Sequence, residues 1–547
     1  MRTSRGAVAA VGGGLAVMAV LSVNSTSVST AAPVAEALTL RGVPANDKTP
    51  GMWSANVLSP GLAEIPVAQG STRLENGTAG VPFYGYLGDG PMVPLAGTTA
   101  EATKTEPDKN TYLVLDGQRG ADAGYTGYGR RFLFQGHEGG TGIITRINLD
   151  ADEAHRVTLM ATKDVNGKSL PTFDGSTYDP FAKRLLFTAE HGNSPDGGVW
   201  QASLGFPSRV RDISGALGRG GYEGIQNDSA GNVWIVEDTG GTTTAANPNA
   251  RQPNSFLYRF VPTRVGDLTA GRLQALRVIS RRSGAAITFH GGAPDADIKS
   301  ADRKDLHTYG LTFATRWVTI HDTATDGTTP FDANVAAKAS GATPFKRPEN
   351  GLFRPGSGFG EFFFAETGDT DIKTQAGALY GGFGAVYRLA QKNPGAATGE
   401  LSMFYRGDAR HTGLDNLAFF GRHQVVFAED AGDTLHTQRN ALDSAYLFDT
   451  RLSYAARQPV RVLAEGRDAS ATIDSGLRDA GTPGFQNDGD NEITGIHVSN
   501  GDASRFGLLG AQIPRPFQAG TGWRVFYTAQ HGNNVTYEVV RDPAWRE

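Results

Sequence analysis

One recurring pattern constrains this chain more than any other. A short apolar run ends in an acid, and a glycine follows within a few residues. It occurs as RRFLFQGHEGG with Glu138, KRLLFTAEHGN with Glu190, VWIVEDTGG with Glu237, EFFFAETGD with Glu366 and QVVFAEDAGD with Glu429. A further copy, RVFYTAQHGNN, carries Gln530 where the acid would stand. Apolar runs this short, bounded by turn residues, read as strands. A second acid opens most units. Asp174 precedes Glu190 by 16 residues, Glu223 precedes Glu237 by 14, Glu349 precedes Glu366 by 17 and Asp415 precedes Glu429 by 14. Glu492, in DNEITGIHVSNGD, opens the last unit. About fifteen residues accommodate a strand, a tight turn and a return strand, so antiparallel pairing can bring both acids to one end of a sheet.

The intervals from Glu138 to Glu190 to Glu237 are 52 and 47 residues, the length of a four-stranded propeller blade. Later intervals of 129, 63 and 101 residues require insertions, and residues 241–345 are expected to hold a blade's outer strands plus extra loops. The expected fold is all-β, a six-bladed β-propeller with loop insertions; a decorated β-sandwich is the alternative. The 72 glycines and 27 prolines among 547 residues agree with many short strands and turns.

Equivalent positions of every blade face one central channel. An acid repeated per blade therefore becomes a ring of carboxylates, which repels itself unless cations neutralise it. A single acid beside a glycine is an ordinary turn residue; the repetition points to metal. Oxygen ligands without histidine or cysteine suit Ca²⁺, Mg²⁺, Mn²⁺ or Fe³⁺.

Other classes of chemistry are excluded. The chain has no cysteine, so disulfides, thiolate metal sites and cysteine nucleophiles are absent. Net charge is -5, without the basic patch that nucleic-acid binding needs. There is no G-x-S-x-G elbow, and His137-Glu138 continues into Gly-Gly-Thr rather than H-E-x-x-H. His191 and His531, in matching HGN turns, read as supporting or packing residues, and His290 as a loop histidine. Arg2 and Arg5, the apolar AVAAVGGGLAVMAVLSV and the Ala35-Glu36-Ala37 pattern read as a signal peptide over 1–37, cleaved after Ala37. Residues 38–110 read as a loop-rich lead-in and 111–547 as the propeller domain. No later segment approaches the ~20 apolar residues of a membrane span, so the expectation is a secreted monomer with no membrane partner after cleavage.

From about Gly136 to Asp502, the order of motifs resembles that of the PhoX-type secreted alkaline phosphatases. HEGG at His137-Glu138, LLFTAEHGN, GYEGI followed by VWIVEDTGG, Ser255–Leu273 (SFLYRFVPTRVGDLTAGRL), KRPENG at Lys346–Gly351, LDNLAF at Leu414–Phe419 and NEITGI at Asn491–Ile496 carry it. The resemblance implies a six-bladed propeller that hydrolyses phosphate monoesters with iron and calcium at the channel mouth. Carried over by motif, Glu190, Glu223, Glu349, Asp415 and Glu492 are implied metal ligands, with Glu138, Glu237 and Asp238 as further candidates. Arg347 is implied to contact phosphate. Two departures follow. The family's iron pair includes a cysteine thiolate; here Asp174 occupies the comparable place, a carboxylate that still binds a hard ion but departs from the family's Fe³⁺ ligation. The family's usual twin-arginine export signal is replaced by Arg2 and Arg5 separated by Thr3-Ser4, which favours Sec export, and metal loading outside the cell favours Ca²⁺ over Fe³⁺. The expected function is a secreted, metal-dependent phosphatase-like hydrolase of small phosphorylated substrates. A calcium-dependent lactonase or phytase-like propeller, and a non-catalytic calcium-stabilised binding propeller, are the alternatives.

Overall fold

The computed structural model describes residues 38–49, 52–88, 103–370, 373–467 and 491–545. The expected signal peptide, 1–37, lies outside the described residues. Among those described, no helix is long and apolar enough to cross a membrane.

In chain order the strands are β1 (Val57–Leu58), β2 (Leu62–Ala68), β3 (Pro107–Val114), β4 (Arg131–His137), β5 (Ile144–Asn148), β6 (Val157–Ala161), β7 (Ser176–Asp179), β8 (Arg184–Ala189), β9 (Gly198–Ala202) and β10 (Val210–Asp212). There follow β11 (Tyr222–Asn227), β12 (Val233–Glu237), β13 (Leu257–Pro262), β14 (Gly271–Val278), β15 (Thr312–Asp322), β16 (Pro348–Phe353), β17 (Glu361–Glu366), β18 (Ala385–Gln391) and β19 (Thr398–Arg406). The last are β20 (Leu414–Phe419), β21 (Gln424–Glu429), β22 (Ser444–Asp449), β23 (Val460–Ala464), β24 (Glu492–Ser499), β25 (Arg524–Gln530) and β26 (Val535–Arg541).

They form antiparallel sheets in the orders β3-β4-β5-β6, β10-β9-β8-β7, β1-β23-β22-β21-β20 and β2-β26-β25-β24, with a nine-stranded sheet β11-β12-β13-β14-β15-β19-β18-β17-β16. The nine-stranded sheet is two meanders, β11–β14 and β16–β19, joined by β15, which pairs with β14 on one side and β19 on the other. The strands β3, β7, β11, β16, β20 and β24 touch one another in that order, and β24 returns to β3. This is an all-β, propeller-like ring rather than two facing layers.

Each sheet is sandwiched between its neighbours. That is why the second strands are apolar throughout: RLLFTA, VWIVE, EFFFAE and QVVFAE are buried almost end to end. The core lies between sheets, as where Phe134, Phe173, Phe187 and Trp200 pack together. Tight turns link the strands. Between β11 and β12, Asp228 Oδ1 accepts from Ala230 N and Asn232 N at 2.8 and 3.0 Å, and Gly231 takes φ 80°.

Residues 38–110, expected as loop-rich lead-in, also supply β1 and β2. β2 pairs with β26, so the chain's start joins the sheet made by its end. Residues 241–345 contain the outer strands β13 and β14, as expected, and also β15 and several short helices rather than loops alone.

Candidate active site

Four of the innermost strands share one irregularity. Their pairing with the second strand shifts between Pro107 and Asn110, between Tyr222 and Ile225, between Pro348 and Gly351, and between Leu414 and Leu417. Each shift is a bulge holding an acid and its successor: Asp108-Lys109, Glu223-Gly224, Glu349-Asn350 and Asp415-Asn416. A bulge re-aims the side chains it contains. These four acids, with Asp174 just ahead of β7, are buried, between 2% and 7% exposed. They converge in two clusters. Oxygens of Asp108, Glu138 and Asp174 lie within 4.8 Å of one another, as do those of Glu223, Glu349 and Asp415. Within them Asp108 hydrogen-bonds to Asp174, and Asp415 to Glu349.

The same register separates two kinds of strand-end acid. Pro107 pairs with His137, Tyr222 with Glu237, Pro348 with Glu366 and Leu414 with Glu429. These four partners occupy one equivalent position and point back into their own sheets. His137 bridges Thr105 and Thr145. Glu366 meets His307 at 2.8 Å, and Glu429 meets Arg439 at 2.8 Å. Glu237 accepts from Tyr258 Oη at 2.8 Å, Phe256 N at 3.1 Å and Asn334 Nδ2 at 3.1 Å. The structure therefore does not bring Glu237 to the clusters. The next residue along does face them: Glu138, Asp238 and Asp430 follow His137, Glu237 and Glu429. Their backbone N–H groups donate to the carbonyls of Glu106, Gly221 and Gly413, one residue ahead of the matching inner strands. Strand side chains alternate, so a shift of one residue turns a side chain to the other face.

Arg347 lies against acids from two of these groups. Its guanidinium donates to Asp238 Oδ2 at 2.8 and 2.9 Å, sits 3.1 Å from Glu349 Oε1, and donates to Thr370 Oγ1 at 3.0 Å. Arg347 and Glu106 both adopt left-handed backbone, φ 53° and 47°, immediately before Pro348 and Pro107. Holding a non-glycine residue there costs on the order of 1–2 kcal/mol. Glu190 is exposed; the ring of His191 beside it meets Thr172 at 2.8 Å. Glu492 joins neither cluster of three. It pairs through His531 instead: His531 Nε2 is 3.0 Å from Glu492 Oε2 and Nδ1 is 2.9 Å from Glu106 Oε1. His531 is thus more than a packing residue. His290, paired with Asp297 at 2.6 Å, is the loop histidine expected.

Beneath the acids lies a polar floor. Lys109 Nζ donates to Asn416 Oδ1 at 2.7 Å and Asn350 Oδ1 at 3.2 Å. Asn350 in turn donates to Asp415 at 2.8 Å, and Thr494 donates to Asp108.

The electrostatics follow from crowding. Burial, then neighbouring carboxylates, pushes Glu223 and Asp174 well above the usual carboxylate range. Glu138 is pushed up to about 8, by burial and then by Asp108 and Glu106. Asp108 is raised to about 6, mainly by burial. Asp430 is also raised to about 6, again mainly by burial. Burial opposes a charge on His531, yet Glu106 and Glu492 outweigh it and hold the imidazole well above its ordinary value.

The residues fit a hard cation. Every donor in both clusters is a carboxylate oxygen, and Glu349 Oε1 is buried without a hydrogen bond, 3.1 Å from the Arg347 guanidinium. Asp108, Glu106, Asp430 and Lys109 were not among the residues expected from sequence. Asp108 had a signal: EPDKN, Glu106–Asn110, parallels RPENG, Arg347–Gly351. Asp430 follows Glu429 as Asp238 follows Glu237.

The family model of alkaline phosphatase PhoX matches residues 249–502. No curated protein matches the sequence. Among solved structures, Pseudomonas fluorescens PhoX in complex with vanadate, a transition state analogue, matches with a TM-score of 0.56 at 11% identity, over 92% of this chain and 98% of that one. YCF48 bound to D1 peptide, at 10% identity over 92% and 100% of the two chains, reaches a TM-score of only 0.32. A family AA12 carbohydrate-active enzyme of Trichoderma reesei, at 11% identity over 90% and 98%, reaches 0.29. Neither of these two adds to the fold argument.

Proposed function

We propose that this chain, whose residues 249–502 match the family model of alkaline phosphatase PhoX, is a secreted, metal-dependent hydrolase of small phosphate monoesters. The observation that carries the reading is the convergence of buried, bulge-borne acids from separate inner strands into two clusters, with Arg347 set against Glu349 and Asp238. Structural carboxylates usually pair with cations; these pair largely with one another. We further read the nine-stranded sheet as two blades linked by β15, which makes six around the channel.

Glu223, Glu349 and Asp415 would hold one cation and Asp108, Glu138 and Asp174 another, with Glu190, Asp238 and Glu492 at the rim. Calcium is the cation assigned, because the donors are hard oxygens and no thiolate is present. Bound cations would supply Lewis-acid stabilisation of charge developing on the phosphoryl group. The chain's own residues do the rest. Arg347 presents a planar fork suited to two phosphate oxygens, and Asp238, Glu349 and Thr370 fix its direction. His531 holds a proton between Glu106 and Glu492 and so sets the Glu492 carboxylate. Lys109 places a positive charge at the floor and closes the channel beneath the acids.

The test is release of p-nitrophenol from its phosphate ester by protein purified from the culture medium. It is run with calcium, with iron plus calcium, and after chelation. Turnover that requires metal and falls on the order of 10²-fold or more in Glu223→Ala supports the reading. A folded, metal-loaded protein without turnover refutes it.

A further inference from the structure

On the outside of the β7–β10 sheet, away from the acids, arginines collect in a cleft of ≈ 330 Å³ lined by Arg184, Arg209, Arg211 and Arg264, with Gln201, Ser203 and a single acid, Asp267. The strands set their arrangement. Leu185 pairs with Ala202, and Ala202 with Val210, so Arg184, Ser203 and Arg209 follow as the next row across three strands. Ser203 and Arg209 are joined there by Ser203 N to Arg209 O at 3.1 Å and Arg209 N to Ser203 Oγ at 2.9 Å. Arg211 lies two residues along from Arg209 and so on the same face. Arg264 arrives from the β13–β14 turn of the neighbouring sheet. That turn packs tightly on the turn after β7: a Cβ on Gly266 would lie 2.7 Å from Phe181 O, and Gly266 takes φ 86°.

Little within the molecule neutralises these charges. Among the described residues Arg184, Arg209 and Arg211 form no ion pair, and Arg184 spends one N–H on Lys183 O at 2.9 Å. Arg264 reaches Asp267 only at 3.6 Å, and Asp267 Oδ1 already accepts from Thr269 at 2.7 and 3.1 Å. Four guanidinium groups face one carboxylate in a chain whose net charge is -5. Two arginines elsewhere on the surface are matched, Arg451 with Asp449 and Arg130 with Asp116.

We propose that this cleft is a docking site for an anion bearing several phosphate groups. Guanidinium forks bind phosphate oxygens in pairs. Arg184 and Arg209 stand two strand spacings apart, roughly 9.6 Å, and Arg209 and Arg211 roughly 6.6 Å apart. One orthophosphate cannot meet them all, whereas a phosphate chain can.

The probe is fluorescently labelled inorganic polyphosphate, followed by anisotropy at low and moderate salt. The expected result is saturable binding that weakens with salt. Arg209→Ala/Arg211→Ala binds about tenfold more weakly with a shallower salt dependence, while turnover of p-nitrophenyl phosphate is unchanged. Arg130→Ala/Arg451→Ala binds as the parent does. The proposal is overturned if the Arg209/Arg211 variant binds as tightly as the parent, if orthophosphate competes equally well per phosphate, or if the parent does not bind at low salt. None of the binding readouts depends on the acid clusters holding metal.

Discussion

Glu237 and Asp238 are neighbours with the same charge and opposite duties. Glu237 is buried among donors that it satisfies, and burial pushes its carboxyl up to about 7. Asp238 holds Arg347. Glu237→Ala should therefore cost about 3 kcal/mol in urea unfolding, because Tyr258, Asn334 and Phe256 N lose a buried acceptor, while bound metal per chain stays the same. Asp238→Asn should do the reverse: stability changes by under about 1 kcal/mol, and kcat/KM falls by about tenfold as Arg347 loses its anchor. Arg347→Lys should likewise lower kcat/KM by about tenfold or more, since an ammonium cannot replace the fork. The sequence made both acids visible and could not separate them. Strand-end acids at Glu138, Glu190 and Glu237 look equivalent by motif, yet pairing places Glu237 one residue out of phase. That difference is a matter of register, which depends on which residue of the inner strand stands opposite.

At the scale of the element, the bulge is the working unit. The acids that open each repeat were legible at Glu223, Glu349 and Asp415 because the turn before each strand repeats. Asp108 was obscured by its place at the edge of what read as a lead-in. The bulge itself leaves only a faint mark, an acid followed by Lys, Gly or Asn. Its second residue builds the floor, where Lys109 joins Asn350 and Asn416. Burial pulls the Lys109 ammonium below its ordinary value, with Asp415, Asp108 and Glu223 opposing that. Lys109→Met should cost on the order of 3 kcal/mol in chelator, because the acids lose a buried counter-charge. The same substitution should cost less with calcium present, since the cation offsets the acids from above. Equal costs in the two conditions would show that Lys109 serves packing alone.

At the scale of the molecule, sheets contributed from residue 57 to residue 541 must close for the acids to meet, and β2 on β26 makes that closure. The ring makes stability depend on pH in an unusual direction. Glu138 is raised to about 8, and Asp108 and Asp430 to about 6. A carboxyl whose folded value is raised gives stability that is complete below its unfolded value and lost as pH climbs through the folded one. Metal-stripped protein should thus melt at a higher temperature at pH 5 than at pH 8.5, with the loss concentrated between about pH 4 and 8. Calcium should raise the melting temperature more at pH 8.5 than at pH 5, because it binds the ionised carboxylates. A chelated protein that gains stability over this window would contradict the crowding described for these acids.

Cations held by the two carboxylate clusters can be located directly. The most direct measurement is an anomalous difference map from crystals grown with the metal that supports turnover. Separate peaks are expected at Glu223/Glu349/Asp415 and at Asp108/Glu138/Asp174, within about 2.6 Å of their oxygens, and none beside Glu237. Active, metal-loaded crystals with peaks elsewhere, or with the acids still bonded to one another, would contradict this placement.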